Sequence, residues 1–356
     1  ELGYYVSSDT LQEGEDLLFT IATQNISARD MDSVLVRYFL INNQNIVVPV
    51  ADKRMRAHPA SDVLLLDTLK LSTLGLAGLN SLWVEINPKD STTGIYDQLE
   101  QHHFNNFAHI FFYVQSDVTN PVLDVTFDGV HIMDGDIVSA KPEILVRLKD
   151  ENQFLEMNDP SNFELYLTKP NSEIQEIIPI HDNDSIQWVP AELPDNSCEI
   201  KFQPNFVQDG VYKLKVRAWD ASQNKSGKND YDITFEVVNK ASVTEVFNYP
   251  NPFSTSTRFV FELTGSEVPD HFEIQILTVT GKLVKVITQD DIGNLHIGRN
   301  ITDYAWDGTD MYGDPLGNGI YFYRVITRLN GETIDKRVTG AEQYFRKGFG
   351  KMYLMR

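Results

Sequence analysis

The chain repeatedly alternates polar and apolar residues over short segments, with a period of two. The clearest cases are EILVRL at residues 143–148, FELYL at 163–167, CEIKF at 198–202 and VYKLKVRAW at 211–219. Because successive side chains of a β-strand point to opposite faces, this pattern predicts antiparallel sheets with one buried face. Helical periodicity is almost absent, and turn-forming residues separate the segments. We therefore predict an all-β chain built from consecutive immunoglobulin-like β-sandwich domains.

The length of the chain sets the number of domains that we expect. Its 356 residues suit three sandwiches, each of roughly 110 to 120 residues. Hydrophobic residues make up 42% of the sequence, which is enough for three cores. Proline ends an apolar run near residues 116–121, and the proline-rich segment YPNPF follows a second break between residues 238 and 249. The predicted domains are therefore 1–116, 117–240 and 241–356.

Charge and composition exclude several classes of function. The net charge of −21 opposes nucleic-acid binding, which requires clustered Lys and Arg. The single cysteine, Cys198, rules out an internal disulfide framework. No apolar run reaches the roughly 18 residues of a transmembrane helix. Since the sequence begins at Glu1 without Met or a signal peptide, we expect it to be part of a longer precursor.

Catalytic motifs are not apparent in the sequence. Cys198 could serve as a nucleophile only with a His base nearby, and the closest His in sequence is His181. We interpret Cys198 instead as a small core residue that opens a strand. Neither a Gly-x-Ser-x-Gly elbow nor a phosphate loop occurs. We therefore expect this segment not to be an enzyme, whatever the full-length protein does.

Two sets of residues suggest metal ligands, although both have a simpler interpretation. Glu100, His102, His103 and His109 have side chains that suit zinc, but adjacent residues on a strand point to opposite faces. The acidic loops at 134–136 (DGD) and 181–185 (HDNDS) offer oxygen ligands for calcium, yet Asp and Gly are also ordinary turn formers. We expect no cofactor, with calcium as the alternative.

The C-terminal tail is the strongest candidate for a binding site. It interleaves aromatic and basic side chains in an otherwise nearly neutral third domain. Such a segment can add a strand to a partner's sheet or lay aromatic rings against a barrel rim. The alternative is a last strand that closes its own sandwich. The predicted partner-binding residues are Tyr344, Phe345, Arg346, Lys347, Phe349, Lys351, Met352 and Tyr353.

Four motifs in the third domain carry a resemblance to a known family. YPNPF at 249–253, TVTGKLV at 278–284, WDG at 306–308 and GNGIY at 317–321 resemble FlgD-like immunoglobulin-like modules and the C-terminal modules of type IX secretion. In WDG we expect Trp306 to fill the core and the other two residues to form a turn. The motifs therefore identify a module and not a reaction.

The middle and first domains carry further resemblances. Residues 121–129, 134–139 and 148–152 resemble the region downstream of the peptidase domain in PorU-like proteins of the gingipain family. Segments 23–25, 85–88 and 104–107 of the first domain are similar, in a more generic way, to adhesion-related sandwiches. Within the PorU-like family, a cysteine peptidase acts as the surface sortase of the type IX system.

The PorU-like resemblance implies a function for the whole segment. It implies the non-catalytic C-terminal region of a PorU-like cysteine peptidase in a Bacteroidetes-type bacterium, on the extracellular face of the outer membrane. A retained C-terminal module would then dock an outer-membrane β-barrel of the PorV type and other secretion components. Two alternatives stay open, namely a surface adhesin or cargo stalk built from spacer sandwiches, and an enzyme fragment that contributes to peptide hydrolysis.

Overall fold

Strands dominate the computed structural model, which describes residues 3–60, 64–244, 246–336 and 348–356. Helical structure in these residues is confined to a 3₁₀ turn at Pro160–Asn162 and one short helix, α1 (Gln289–Ile292). The described residues form six sheets and three buried clusters, and each cluster draws side chains from two sheets. We call each such pair of sheets with its cluster a sandwich. The all-β, immunoglobulin-like fold class is therefore confirmed. No helix among the described residues is long and apolar enough to cross a membrane.

The first sandwich packs a three-stranded sheet, β1-β3-β6, on a five-stranded sheet, β2-β8-β7-β4-β5. Its core contains Phe19, Tyr38 and Phe112, contributed by both sheets. Residues 64–72 form a strand, and a loop at 73–77 leads into the next strand. The strands are β1 (Gly3–Val6), β2 (Thr10–Gln12), β3 (Asp16–Gln24), β4 (Val34–Ile41), β5 (Val47–Met55), β6 (Leu64–Ser72), β7 (Gly78–Ile86) and β8 (Phe107–Gln115).

The second sandwich follows the alternating pattern most closely. In the strand that begins at Phe163, buried and half-buried residues alternate throughout, so one face enters the core. Its sheets have the order β14-β15-β11-β9 and β10-β17-β16-β12-β13. The strands are β9 (Val122–Phe127), β10 (Asp136–Val138), β11 (Ile144–Lys149), β12 (Phe163–Thr168), β13 (Gln175–Ile178), β14 (Ile186–Val189), β15 (Ser197–Phe202), β16 (Gly210–Ala218) and β17 (Tyr231–Val237).

The third sandwich pairs the sheet β19-β20-β18-β26 with the sheet β22-β21-β24-β25. Strand β23 joins the first of these sheets beside β20, and β27 joins the second beside β24. The strands are β18 (Ser242–Val243), β19 (Phe247–Tyr249), β20 (Arg258–Thr264), β21 (His271–Thr278), β22 (Leu283–Ile287), β23 (Gly298–Ile301), β24 (Gly319–Leu329), β25 (Glu332–Thr333), β26 (Asp335–Lys336) and β27 (Gly350–Leu354).

Neighbouring sandwiches contact one another through backbone hydrogen bonds at one junction and through close side-chain packing at the other. Gly265 donates its N–H to the carbonyl of Val238 at 3.0 Å and accepts from the N–H of Ala140 at 3.1 Å, which joins the second and third sandwiches. At the first junction Gly14 lies against Leu155, where an added Cβ would come within 2.7 Å of the Leu155 side chain. A side chain at residue 14 would therefore push the first two sandwiches apart.

Trp306 occupies the core of the third sandwich, as the sequence predicts. Its side chain is fully buried, and its indole N–H donates to the carbonyl of Thr309 at 2.8 Å. The Asp307 carboxylate accepts from the N–H of Thr309 at 3.1 Å, and Gly308 has a φ of 75°, so both residues shape the turn.

We expect Trp306→Ala to lower the free energy of unfolding by about 3–5 kcal/mol, because it removes a large buried ring and leaves a cavity. The matched control is Tyr312→Ala in the same loop, where the side chain is 83% exposed. That control should change stability by no more than about 0.5 kcal/mol. Urea unfolding followed by circular dichroism measures both variants, and equal losses would contradict a core role for Trp306.

Candidate functional site

The predicted C-terminal binding segment is partly a strand of the third sandwich. Strand β27 pairs antiparallel with β24, and Met352 faces the core, where it is fully buried. Lys351 is exposed, with its ammonium group 4.8 Å from the ring centroid of the half-buried Tyr353. Phe349, just before the strand, is half-buried. The other four predicted residues, Tyr344, Phe345, Arg346 and Lys347, lie outside the described residues.

This placement corrects one part of the sequence prediction. The sequence predicts Met352 as a partner-binding residue because a tail rich in aromatic and basic residues suggests an outward-facing strip. Alternation along β27 instead turns Met352 and Leu354 into the core, where both side chains are fully buried. The accessible part of the strand is the opposite face, with Lys351 and Tyr353. Binding of a partner by that face stays a prediction.

Three of the four sequence motifs of the third domain contact this last strand or Arg356 just after it. From YPNPF, the Asn251 carboxamide accepts from the N–H of Tyr353 at 3.0 Å, and Phe253 donates its N–H to the Tyr353 carbonyl at 3.0 Å. From GNGIY, the Asn318 side chain binds the backbone of Arg356 at 2.8 and 3.0 Å. From WDG, the Asp307 carbonyl accepts from the Arg356 guanidinium. Three separate motifs therefore hold the segment in place.

Cys198 is a core residue, which confirms the structural interpretation. It lies on β15, is fully buried, and burial raises the pKa of its thiol to about 12. Its thiol makes no hydrogen bond to a His within the described parts of the chain. A nucleophilic cysteine needs the thiolate and an accessible position, and Cys198 has neither.

We predict that Cys198 of the native protein reacts with iodoacetamide at least about 100-fold more slowly than an unfolded cysteine, since its thiol is buried and protonated. Mass spectrometry after timed quenching measures the modified fraction. The same protein in guanidinium chloride is the control and should be modified rapidly. Comparable rates in the two conditions would contradict the buried, inert assignment.

Within the histidine-rich set, Glu100 and His103 lie together, with 3.2 Å between the carboxylate and Nδ1. His102 contacts the ring of Phe104 instead, with 5.6 Å between centroids. The Glu100 carboxylate accepts from the side chains of Asn87 and Asn106 at 2.7 and 2.6 Å. His103 stacks on Tyr96 with 3.5 Å between ring centroids, and His109 stacks on Trp83 with 4.6 Å. These four side chains are thus engaged in a loop network and in ring contacts. Their arrangement fits the polar-loop alternative.

The acidic loops considered as the calcium alternative make hydrogen bonds within the second sandwich. Asp134 accepts from both the backbone N–H and the hydroxyl of Thr234 at 2.9 Å, and Asp136 accepts from the N–H of Met133 at 2.8 Å. In the second loop Asp182 takes a φ of 55°, and Asn183 accepts from the N–H of Ser185 at 3.0 Å. Their oxygens therefore bind local donors.

A different carboxylate cluster lies at the junction of the first and second sandwiches. We call Asp117, Asp150 and Asp220 the junction carboxylates, because one oxygen of each lies within 4.8 Å of the others. Asp117 belongs to the linker between β8 and β9, Asp150 directly follows β11, and Asp220 lies two residues beyond β16. None of them forms an ion pair with Lys or Arg in the described residues. The cluster therefore concentrates negative charge without a compensating cation.

Asp150 is the most constrained of the junction carboxylates. It is 4% exposed, and neither of its carboxylate oxygens has a hydrogen-bond donor among the described residues. Burial, together with the neighbouring carboxyl groups of Glu151, Asp117 and Asp220, raises its pKa to about 7. A buried carboxylate without donors is costly unless a cation or a proton neutralises it.

Asp117 and Asp220 are held in place by neutral donors. Asn224 donates from its backbone N–H and its side chain to the Asp220 carboxylate at 2.8 and 2.9 Å. The Asn224 side chain also reaches the Asp117 carbonyl at 3.2 Å. Asn152 donates to the Asp117 carboxylate and to the Glu13 carbonyl of the first sandwich, both at 3.4 Å. The site thus links the linker, two loops of the second sandwich and the first sandwich.

Two further candidate binding surfaces lie on the first sandwich, and the sequence analysis did not predict either of them. One is a cleft of about 610 Å³ at the end of the sandwich, lined by His58, Glu100 and the strongly exposed Leu99 and Phe104. The other is an aromatic outer face on β8, where Phe111 and Tyr113 are 61% and 48% exposed. The outward positions of β8 are unusually aromatic, and that signal was available in the alternation of the sequence.

Comparison with known proteins establishes no family for the chain. No protein-family model matches the sequence, and no curated protein matches it either. Among solved structures, 99% of the chain aligns with 34% of dimeric latent PorU from Porphyromonas gingivalis, at 14% identity and a TM-score of 0.27. The chain thus spans about a third of the length of that protein.

Other solved structures have a comparable likeness. The Escherichia coli adhesin FdeC aligns over 100% of this chain and 97% of its own, at 12% identity and a TM-score of 0.26. The FN1–FN3 domains of chicken CNTN1 align over 99% of this chain and 98% of theirs, at 10% identity and a TM-score of 0.21. Because these scores are low, the fold class is assigned from the sheets described above.

Proposed function

We propose that the chain is the non-catalytic interaction and anchoring segment of a PorU-like, type IX secretion-associated cysteine peptidase at the cell surface. In this proposal it docks an outer-membrane β-barrel of the PorV type. The carrying observation is that YPNPF, WDG and GNGIY converge on the end of the chain. Asn251 binds Tyr353 of strand β27, and Asp307 and Asn318 bind Arg356 just beyond it. Motifs that lock the last strand into the sandwich favour a C-terminal module that is kept and used for docking.

The exposed face of the last strand provides the contact chemistry. Lys351 and Tyr353 lie on the side of β27 away from the core, and the ammonium-to-ring distance of 4.8 Å preorganises them as a pair. Aromatic and basic side chains of this kind are favoured at protein interfaces. The preceding residues, Phe345, Arg346 and Lys347 among them, extend the same composition along the sequence.

Deletion of the C-terminal segment would not be a clean test, because it removes the buried side chains of Met352 and Leu354 along with the docking face. Point substitutions separate the two roles. We predict that the combined variant Arg346→Glu, Lys347→Glu, Lys351→Glu reduces recovery of the barrel from outer-membrane extracts at least about tenfold, since charge reversal opposes a complementary surface. Immunoblotting or mass spectrometry of the pulled-down fraction measures the recovery.

The matched control is Lys282→Glu, an exposed charge reversal elsewhere in the third sandwich. It should recover the barrel as well as the unmodified chain does. Circular dichroism and thermal unfolding establish that all variants are folded. Equal recovery by the triple variant and the control would overturn docking through this segment.

A second candidate function, a ligand-binding surface adhesin, is favoured by the cleft of the first sandwich. Its volume of about 610 Å³ falls within the range of small-ligand sites. Binding of the chain to a glycan array, abolished by Leu99→Ala with Phe104→Ala, would support this function. These rim side chains are 88% and 82% exposed, so their truncation should leave the fold intact. An array without any bound glycan would count against it.

A further inference from the structure

The junction carboxylates form a buried cluster of like charges, which a bound cation would neutralise. Asp150 is almost completely buried, its two oxygens lack donors, and two other carboxylates lie within 4.8 Å. Like charges in a buried site repel one another strongly, so the cluster needs a neutralising group. In the described part of the chain no Lys, Arg or His supplies one through an ion pair.

The donor set determines which cation would fit. The converging side chains are carboxylates, so every ligand atom that they offer is oxygen. Zinc and the softer transition metals favour imidazole and thiolate, which the cluster does not offer. Calcium takes six to eight oxygens in flexible geometry, including amide and carbonyl oxygens and water. Magnesium requires a stricter octahedron and retains more of its water.

We propose that Asp117, Asp150 and Asp220 bind a calcium ion at the junction of the first and second sandwiches. The site combines three anionic ligands with a deeply buried, unpartnered carboxylate aimed into the cluster. Asn152 and Asn224 fix the surrounding loops through the hydrogen bonds described above. This inference stands apart from the proposed function, because it involves none of the residues assigned to docking.

The position of the ion gives it a mechanical role. Asp117 belongs to the linker after β8, whereas Asp150 and Asp220 belong to loops after β11 and β16. One ion bound by all three would fasten the linker to the second sandwich. The Asn152 side chain also reaches the Glu13 carbonyl of the first sandwich, so ordering this loop orders the junction. Calcium would therefore fix the angle between the first two sandwiches.

The test uses the whole chain, freed of metal with EDTA. Calcium at about tenfold above its Kd should raise the melting temperature by about 5 °C, because the ion binds the folded state selectively. Isothermal titration calorimetry should give one ion per chain with a Kd on the order of 0.1–1 mM, the range of extracellular calcium modules. No thermal shift and no binding heat would overturn the proposal.

The variant Asp150→Asn separates binding from structure. It should lose the calcium-dependent shift, and its metal-free melting temperature should not fall below that of the metal-free parent, because the substitution relieves repulsion. If this variant does not fold, the half-buried Asp117→Asn replaces it, and its Kd for calcium should rise at least about tenfold. The matched control is Asp134→Asn in the turn before β10, which should respond as the parent does.

Two outcomes would contradict the proposed site or the identity of its ion. A calcium shift of full size in Asp150→Asn would locate the ion away from the junction carboxylates. An equal shift with magnesium at the same concentration would overturn the assignment to calcium. As an independent readout, calcium should slow limited proteolysis in the linker at residues 116–120 at least about fivefold in the parent and not in Asp150→Asn. An unchanged rate in the parent would overturn the mechanical role.

Discussion

Each sheet of this chain has one face that cannot remain in water, and the rest of the structure depends on covering that face. The alternating strands give every sheet an apolar side, and pairs of sheets bury these sides against each other. The chain makes little use of helices in doing so. Because disulfides cannot contribute with a single cysteine, packing and hydrogen bonding stabilise the three cores. The contacts between sandwiches are not part of these cores and involve other residues.

The third sandwich shows how a short motif can act without being a reactive site. WDG supplies a buried indole and a tight turn, YPNPF supplies a backbone partner, and GNGIY supplies the neighbouring strand. All three contact the last strand or Arg356 just after it, so a substitution in one motif weakens a single shared element. This dependence explains why residues far apart in sequence belong to one recognisable pattern. The pattern therefore marks how the last strand is attached to its sheet.

Sequence was sufficient for the features that depend on local pattern. Alternation identified the strands of the second sandwich, and burial of Trp306 and Cys198 followed from their positions beside turns and on strands. The burial of Met352 was not predicted, because the aromatic and basic composition of the tail suggested a binding surface. The polar–apolar alternation that places Met352 in the core extends over only five residues. The junction carboxylates could not be predicted, because Asp117, Asp150 and Asp220 each resemble an ordinary turn residue. Only the three-dimensional fold brings them together.

The two junctions between sandwiches differ in how they would survive sequence divergence. The second and third sandwiches are joined by backbone hydrogen bonds around Gly265, which most substitutions elsewhere leave unchanged. The first junction depends on particular side chains, since Asn152 donates to the Glu13 carbonyl and Leu155 packs against Gly14, so a single replacement there can alter it. The relative placement of the last two sandwiches is therefore less sensitive to side-chain substitution than the orientation of the first sandwich.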